Sequence, residues 1–95
     1  MKLTKTQSRM LLLIKNGATK GYNLNSLEAL TRMKIIAIPT SYDKDKGVYT
    51  KVLTGGNGFS YDTMELIETI EKSKAELTKE GYATDSVYGM MFKLI

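Results

Sequence analysis

Cysteine and histidine are both absent from the 95 residues, and proline occurs once, at Pro39. Without cysteine there is no disulfide and no thiolate metal site. Without histidine the chain lacks the usual general base near neutral pH and the commonest nitrogen ligand for a metal. Together these gaps argue against hydrolase, protease, redox and zinc chemistry, and leave a Ser/Lys pair as the one nucleophilic arrangement still open. No catalytic residue, cofactor or metal is therefore expected. Long apolar runs are missing too. The stretch Met10 to Ile14 is too short for a signal-peptide core and has no small-residue cleavage site behind it, and nothing approaches a membrane-spanning length. A cytoplasmic protein with no membrane partner is the expectation.

What the chain does contain is enough apolar surface to fold. Hydrophobic residues make up 42% of it, which suits a single domain over residues 1–95 rather than a disordered segment. Its charge is unevenly placed. Residues 1–60 hold ten Lys/Arg against three Asp/Glu, residues 61–95 hold four against seven, and the two balances of +7 and −3 give the net +4. A basic front half is the electrostatic footprint of a surface that meets phosphate.

Capping signals and periodicity set out the elements. Thr4 and Gln7 have the capping-box spacing, so a first helix is expected from Lys5 to Asn16, stopped by Gly17. Its apolar side is Met10, Leu11, Leu13 and Ile14, and Leu12 falls among the polar residues Lys5, Ser8, Arg9, Lys15 and Asn16. Asn25 reads as the cap of a second helix, Ser26 to Met33, with Leu27, Leu30 and Met33 inward and Asn25, Glu28, Thr31 and Arg32 outward. Strands are expected at Ile35–Ile38 and Val48–Thr54, joined through the turn-rich Asp43 to Gly47 as a hairpin. Asp62 and Glu65 read as the cap of a long third helix, Thr63 to Glu80, with Tyr61 and Leu66 as its hydrophobic staple. Val87 to Ile95 reads as a last strand. The expected fold is α+β, in the order helix, helix, strand, strand, helix, strand, with a three-stranded, mainly antiparallel sheet.

The main functional signal is the basic set Lys2, Lys5, Arg9, Lys15, Lys20, Arg32, Lys34, Lys44, Lys46 and Lys51, because each neutralised phosphate releases counterions. Gly55-Gly56-Asn57-Gly58 ahead of a helix invites a phosphate-loop reading, but it lacks the Gly-Lys-Ser/Thr ending and is better read as a connector. Glu65, Glu68, Glu71, Glu76 and Glu80 read as a solvated helix face rather than catalytic carboxylates. Tyr22, Tyr42 and Tyr49 stand near basic residues, where they either stack on bases or cover the core.

The runs Thr6-Gln7, Met10 to Ile14, Gly17, and Ser26-Leu27-Glu28-Ala29-Leu30-Thr31-Arg32-Met33-Lys34-Ile35-Ile36 resemble small winged-helix proteins over roughly the first half of the chain. Lys34 stands where that family has its helix-ending glycine. Size and composition also resemble short proteins of phages and mobile elements. The resemblance implies a small DNA-binding regulator whose second helix reads the major groove and whose Asp43–Gly47 loop is a wing on the backbone. Asn25, Thr31 and Arg32 would then meet base edges, and Lys20, Lys34, Lys44 and Lys46 phosphates, on DNA before RNA. The alternative is a protein-binding inhibitor or adaptor acting on a host protein through Leu12 and the long acidic helix, at Leu66 and Ile70. That helix, along Leu66, Ile70 and Leu77, is also where a homodimer is expected.

Overall fold

Helix starts in this chain are made by side-chain oxygens, and the computed structural model, which describes residues 2–57 and 59–95, shows all three. Helix α1, Lys5–Lys15, opens on a capping box in which Gln7 N–H donates to Thr4 Oγ1 at 3.1 Å and Thr4 N–H donates to Gln7 Oε1 at 3.0 Å. Helix α2, Leu24–Arg32, is capped by Asn23, whose Oδ1 accepts from Ser26 N–H. Asn25, the expected cap, lies inside the first turn instead; starting earlier lets Leu24 join Leu27 and Leu30 against the core. Helix α3, Lys74–Lys79, has a second capping box, Ser73 with Glu76.

The helix ends share one geometry. After α1, Gly17 N–H donates to Ile14 C=O and Ala18 N–H to Leu13 C=O; after α2, Lys34 donates to Thr31 and Ile35 to Leu30; after α3, Gly81 donates to Thr78 and Tyr82 to Leu77. Each is a Schellman stop, which needs a left-handed residue. Glycine supplies it twice, but after α2 the residue is Lys34, with φ of 60°. The helix-ending position is thus occupied by a lysine in the glycine conformation.

Six strands form one open sheet, antiparallel at every pairing. They are β1 Ile36–Pro39, β2 Tyr42–Asp43, β3 Val48–Thr54, β4 Glu65–Ser73, β5 Ala83–Thr84 and β6 Met91–Leu94. β3 has β4 along one side, with β1 (Ile38 opposite Leu53) and then β2 (Tyr42 opposite Tyr49) along the other. β6 pairs the far side of β1, and β5 pairs β6. Alternation divides β1 between two cores. Ile36 and Ile38 join Met10, Ile14, Leu27, Leu30, Ala83 and Phe92 under α1 and α2, while Ala37 joins Val52, Ile70, Leu77, Tyr82 and Met91 on the face that α3 covers.

The α+β class holds, but the sheet is larger than three strands and the long helix is absent. Where Thr63 to Glu80 was expected to be one helix, the chain makes a single 3-10 turn at Tyr61–Thr63, then β4, then α3. Leu66 and Ile70 are spaced for a helix and equally for a strand, and β-branched Ile67, Thr69 and Ile70 favour the strand. The open edge of β3 then decides, because its backbone groups need partners. The interruption at Ser73 and Lys74 is the strand-to-helix junction, and Ser73, not Asp62, is the cap. The last strand is shorter than expected, since Asp85 to Met90 forms the turn between β5 and β6; Asp85 is buried and its carboxylate accepts from the N–H groups of Val87 and Tyr88.

Candidate nucleic-acid interface

Residues 1–27 contain no Asp or Glu and five Lys/Arg: Lys2, Lys5, Arg9, Lys15 and Lys20. At 100° per residue, Lys5, Ser8, Arg9, Leu12, Lys15 and Asn16 fall within a sector of roughly 120° on α1. All six are exposed, and Leu12, 57% exposed, sits near the middle. None of the five cations forms an ion pair among the described residues. The opposite side of α1 is fully committed, with Met10 and Ile14 buried.

The cations further along the chain are in a different state. β4 lies beside β3, and this brings the acidic half of the sequence onto the basic half: Lys34 Nζ lies 2.8 Å from Glu65 and Lys46 Nζ 3.4 Å from Glu71. Lys72 joins Glu80 at 2.7 Å and Glu68 at 3.7 Å, and the Glu80 hydrogen bond raises its pKa above the ordinary lysine value. Lys34 and Lys46 are therefore not free phosphate contacts. Lys20, Arg32 and Lys44 remain exposed without an ion-pair partner among the described residues.

Two expected site residues face inward. Thr31 is fully buried: its Oγ1 donates to Leu27 C=O, and its own C=O accepts from Gly55 N–H, which ties the end of α2 to the end of β3. It cannot reach a base edge. Ile70, 8% exposed, belongs to the core under α3 and not to a partner surface, whereas Leu66 is 54% exposed on β4. Since Leu66 and Ile70 lie on a strand and Leu77 is buried on α3, the expected dimer stripe is dispersed. Asn25 and Arg32 are both exposed, two turns apart on one face of α2.

The glycine segment is a packed corner rather than a phosphate loop. A Cβ on Gly56 would lie 2.3 Å from Thr63 C=O, and Asn57 N–H donates to Thr63 Oγ1; Gly58 lies outside the described residues. Among the described residues no group of three acidic side chains gathers to hold a metal, and no helix is long and apolar enough to cross a membrane.

The tyrosines separate by environment. Tyr22 is core: its ring is 5.8 Å from Phe92, its O–H donates to Ala18 C=O, and burial, aided by Asp85, raises its pKa. Tyr42 and Tyr49 face each other across β2 and β3, and with Phe59 and Tyr61 they line a cleft of about 470 Å³. The sequence pattern missed Phe59 and Tyr61 because Phe59-Ser60-Tyr61 reads as the lead-in to a helix that does not form. Comparison with protein-family models, with curated proteins and with solved structures finds no match to this chain.

Proposed function

We propose that the protein is a non-enzymatic nucleic-acid-binding module, for DNA before RNA, that grips the phosphate backbone with α1 and its flanks. The observation that carries this reading is the acid-free segment 1–27, whose five cations, three on one exposed helix face and two flanking it, have no ion-pair partner among the described residues. A surface of this kind attracts polyanions, and each phosphate it neutralises releases counterions. In the winged-helix form of the reading, Asn25 and Arg32 are the side chains offered to base edges, Lys20 and Lys44 supplement the phosphate contacts, and Thr31 has no part.

A salt series on duplex DNA, single-stranded DNA and RNA tests it. Replacing Lys5, Arg9 and Lys15 together by Gln is expected to flatten the log–log salt dependence by about 2 to 3 units, while Lys34→Gln with Lys46→Gln changes it little. If no polymer binds more tightly than about 100 μM near physiological salt, the reading fails.

The second reading, an inhibitor or adaptor on a host protein, is favoured by one observation. β4 is nine residues long, pairs only with β3 among the described residues, and exposes Leu66 and Ile67. Such an edge accepts an added strand. A stoichiometric, salt-insensitive protein complex that retains no nucleic acid would put this reading first, with Leu12→Asp and Leu66→Asp separating the helix from the edge as its contact.

A further inference from the structure

We infer that the cleft walled by Tyr42, Tyr49, Phe59 and Tyr61 holds one unstacked nucleobase, an inference that rests on the nucleic-acid reading and narrows it to unpaired strands.

The cleft is built by the fold's own register. β1 passes into β2 through Thr40 and Ser41, and Tyr42 then stands opposite Tyr49 with ring centroids 4.9 Å apart and planes tilted by 56°. From the other side the Tyr61 hydroxyl donates to Thr40 C=O, which holds the Phe59–Tyr61 segment over this junction. Phe59 is anchored in turn against Phe92 of the main core at 6.5 Å. The walls are therefore in position before a ligand arrives, and a volume of about 470 Å³ falls within the range of small-ligand sites.

Its chemistry suits a base. Flat aromatic walls stack on any base, because every base has a π face. Thr40, on the lining, has a buried Oγ1 without a hydrogen-bond partner among the described residues. A hydroxyl both donates and accepts, so once rotation about its Cα–Cβ bond turns it into the cleft this one can meet either kind of group on a base edge. Burial, with Tyr42 adding to it, raises the Tyr49 pKa, so its phenol is a neutral donor at working pH.

Charge near the cleft is mixed. Among the described residues no carboxylate lines it, but Asp43 and Asp45 share the β2–β3 turn with Lys44 and Lys46, and Asp62 follows Tyr61. Lys44 follows in the same turn and Lys51 lies two residues beyond Tyr49, neither ion-paired among the described residues. On the opposite rim, Gly89 and Met90 end the β5–β6 turn, whose Ser86 donates through both N–H and Oγ to Thr19 C=O, the neighbour of Lys20. An aromatic cleft with Lys44 and Lys51 close by in the chain suits a π-faced ligand with a negative charge, the nucleotide unit. A base paired in a duplex cannot enter without leaving its stack.

The test titrates the intact protein with single-stranded oligothymidylate, a hairpin duplex and thymidine 5′-monophosphate, following tyrosine fluorescence and oligonucleotide anisotropy. The single strand is expected to bind more tightly than the duplex. Tyr42→Ala and Tyr61→Ala, at sites 52% and 56% exposed, are expected to keep the fold. Each should weaken the strand by about fivefold or more. Thr40→Val, which removes the unpartnered hydroxyl, should leave the fold as stable or more so and still weaken binding. Strand binding unchanged in all three variants but lost on replacing Lys5, Arg9 and Lys15 overturns the cleft and leaves the nucleic-acid reading standing. A duplex preferred over the strand overturns it as well. Monophosphate quenching that Tyr42→Ala abolishes, with no polymer bound, keeps the cleft as a nucleobase site and removes the polymer reading.

Discussion

On one face of the sheet, α1 and α2 bury Met10, Ile14, Leu27 and Leu30 against Ile36, Ile38 and Phe92; on the other, Ala37, Val52 and Met91 meet Ile70, Tyr82 and Leu77 of the six-residue α3. The outer surfaces differ in the same sense. Above the first core lie cations with no ion-pair partner among the described residues, and beside the second lie Glu65, Glu68 and Glu71, each within 4 Å of a lysine. Charge separated along the chain is therefore not charge separated in space. Pairing β4 with β3 sets Glu65 and Glu71 on Lys34 and Lys46 and leaves the other cations of the basic half, those of α1 among them, without ion-pair partners among the described residues.

The two cores should differ most in what a truncation costs. Phe92→Ala, at a fully buried site in the larger core, is expected to cost about 3–5 kcal/mol, and Ile70→Ala about 2 kcal/mol because its site lies at the rim of the smaller core and can partly collapse. Equal losses in denaturant unfolding would mean that the two faces contribute alike.

The next effect is with pH and is largest on the α3 face, where Tyr82 is shifted furthest; Tyr22, under α1 and α2, shifts in the same direction. Burial, with Glu68 and Glu80 nearby, pushes the Tyr82 phenol up to about 12 from the ordinary 10. Below about pH 10 both folded and unfolded chains keep that proton, so its contribution is fully present. As pH rises toward 12 the unfolded chain loses the proton first, and stability falls. Unfolding curves across this window should show the decline for the wild type and a shallower one for Tyr82→Phe; parallel curves would remove Tyr82 as the cause.

Smaller again are the two capping boxes, one for each face. Thr4→Ala and Ser73→Ala should each cost about 1 kcal/mol, with hydrogen exchange rising first in α1 for the former and in α3 for the latter. Least of all, Lys34→Gln and Lys46→Gln break ion pairs in which every partner is more than half exposed, and each should change stability by about 0–1 kcal/mol. A larger loss at Lys34 would show that its left-handed backbone depends on Glu65.

Local signals determined the elements whose partners are close in sequence. Thr4, Gln7 and Gly17 bound α1 by hydrogen bonds within a few residues, and Val48 to Thr54, rich in β-branched and aromatic residues, reads as a strand without reference to anything else. Ser73 and Glu76 carry an equally local capping box, hidden by the longer helix pattern laid across it. The absence of Cys and His, and the acid-free stretch through Leu27, are likewise properties of the sequence by itself.

Tertiary structure decided the rest. Met64 to Ser73 suits either period, and the open edge of β3 adds to the strand preference of Ile67, Thr69 and Ile70 to make Glu65–Ser73 a strand. That single choice moves Ile70 into a core, exposes Leu66 on an edge, and sets Glu65 and Glu71 against Lys34 and Lys46. Thr31 is turned inward by its place between α2 and β3, which no helical wheel of α2 alone records. The aromatic cleft joins Tyr42, Tyr49, Phe59 and Tyr61 across three segments, and a constellation that distant in sequence exists only once backbone pairing has set the register of β2 on β3 and tied the 59–61 segment to Thr40.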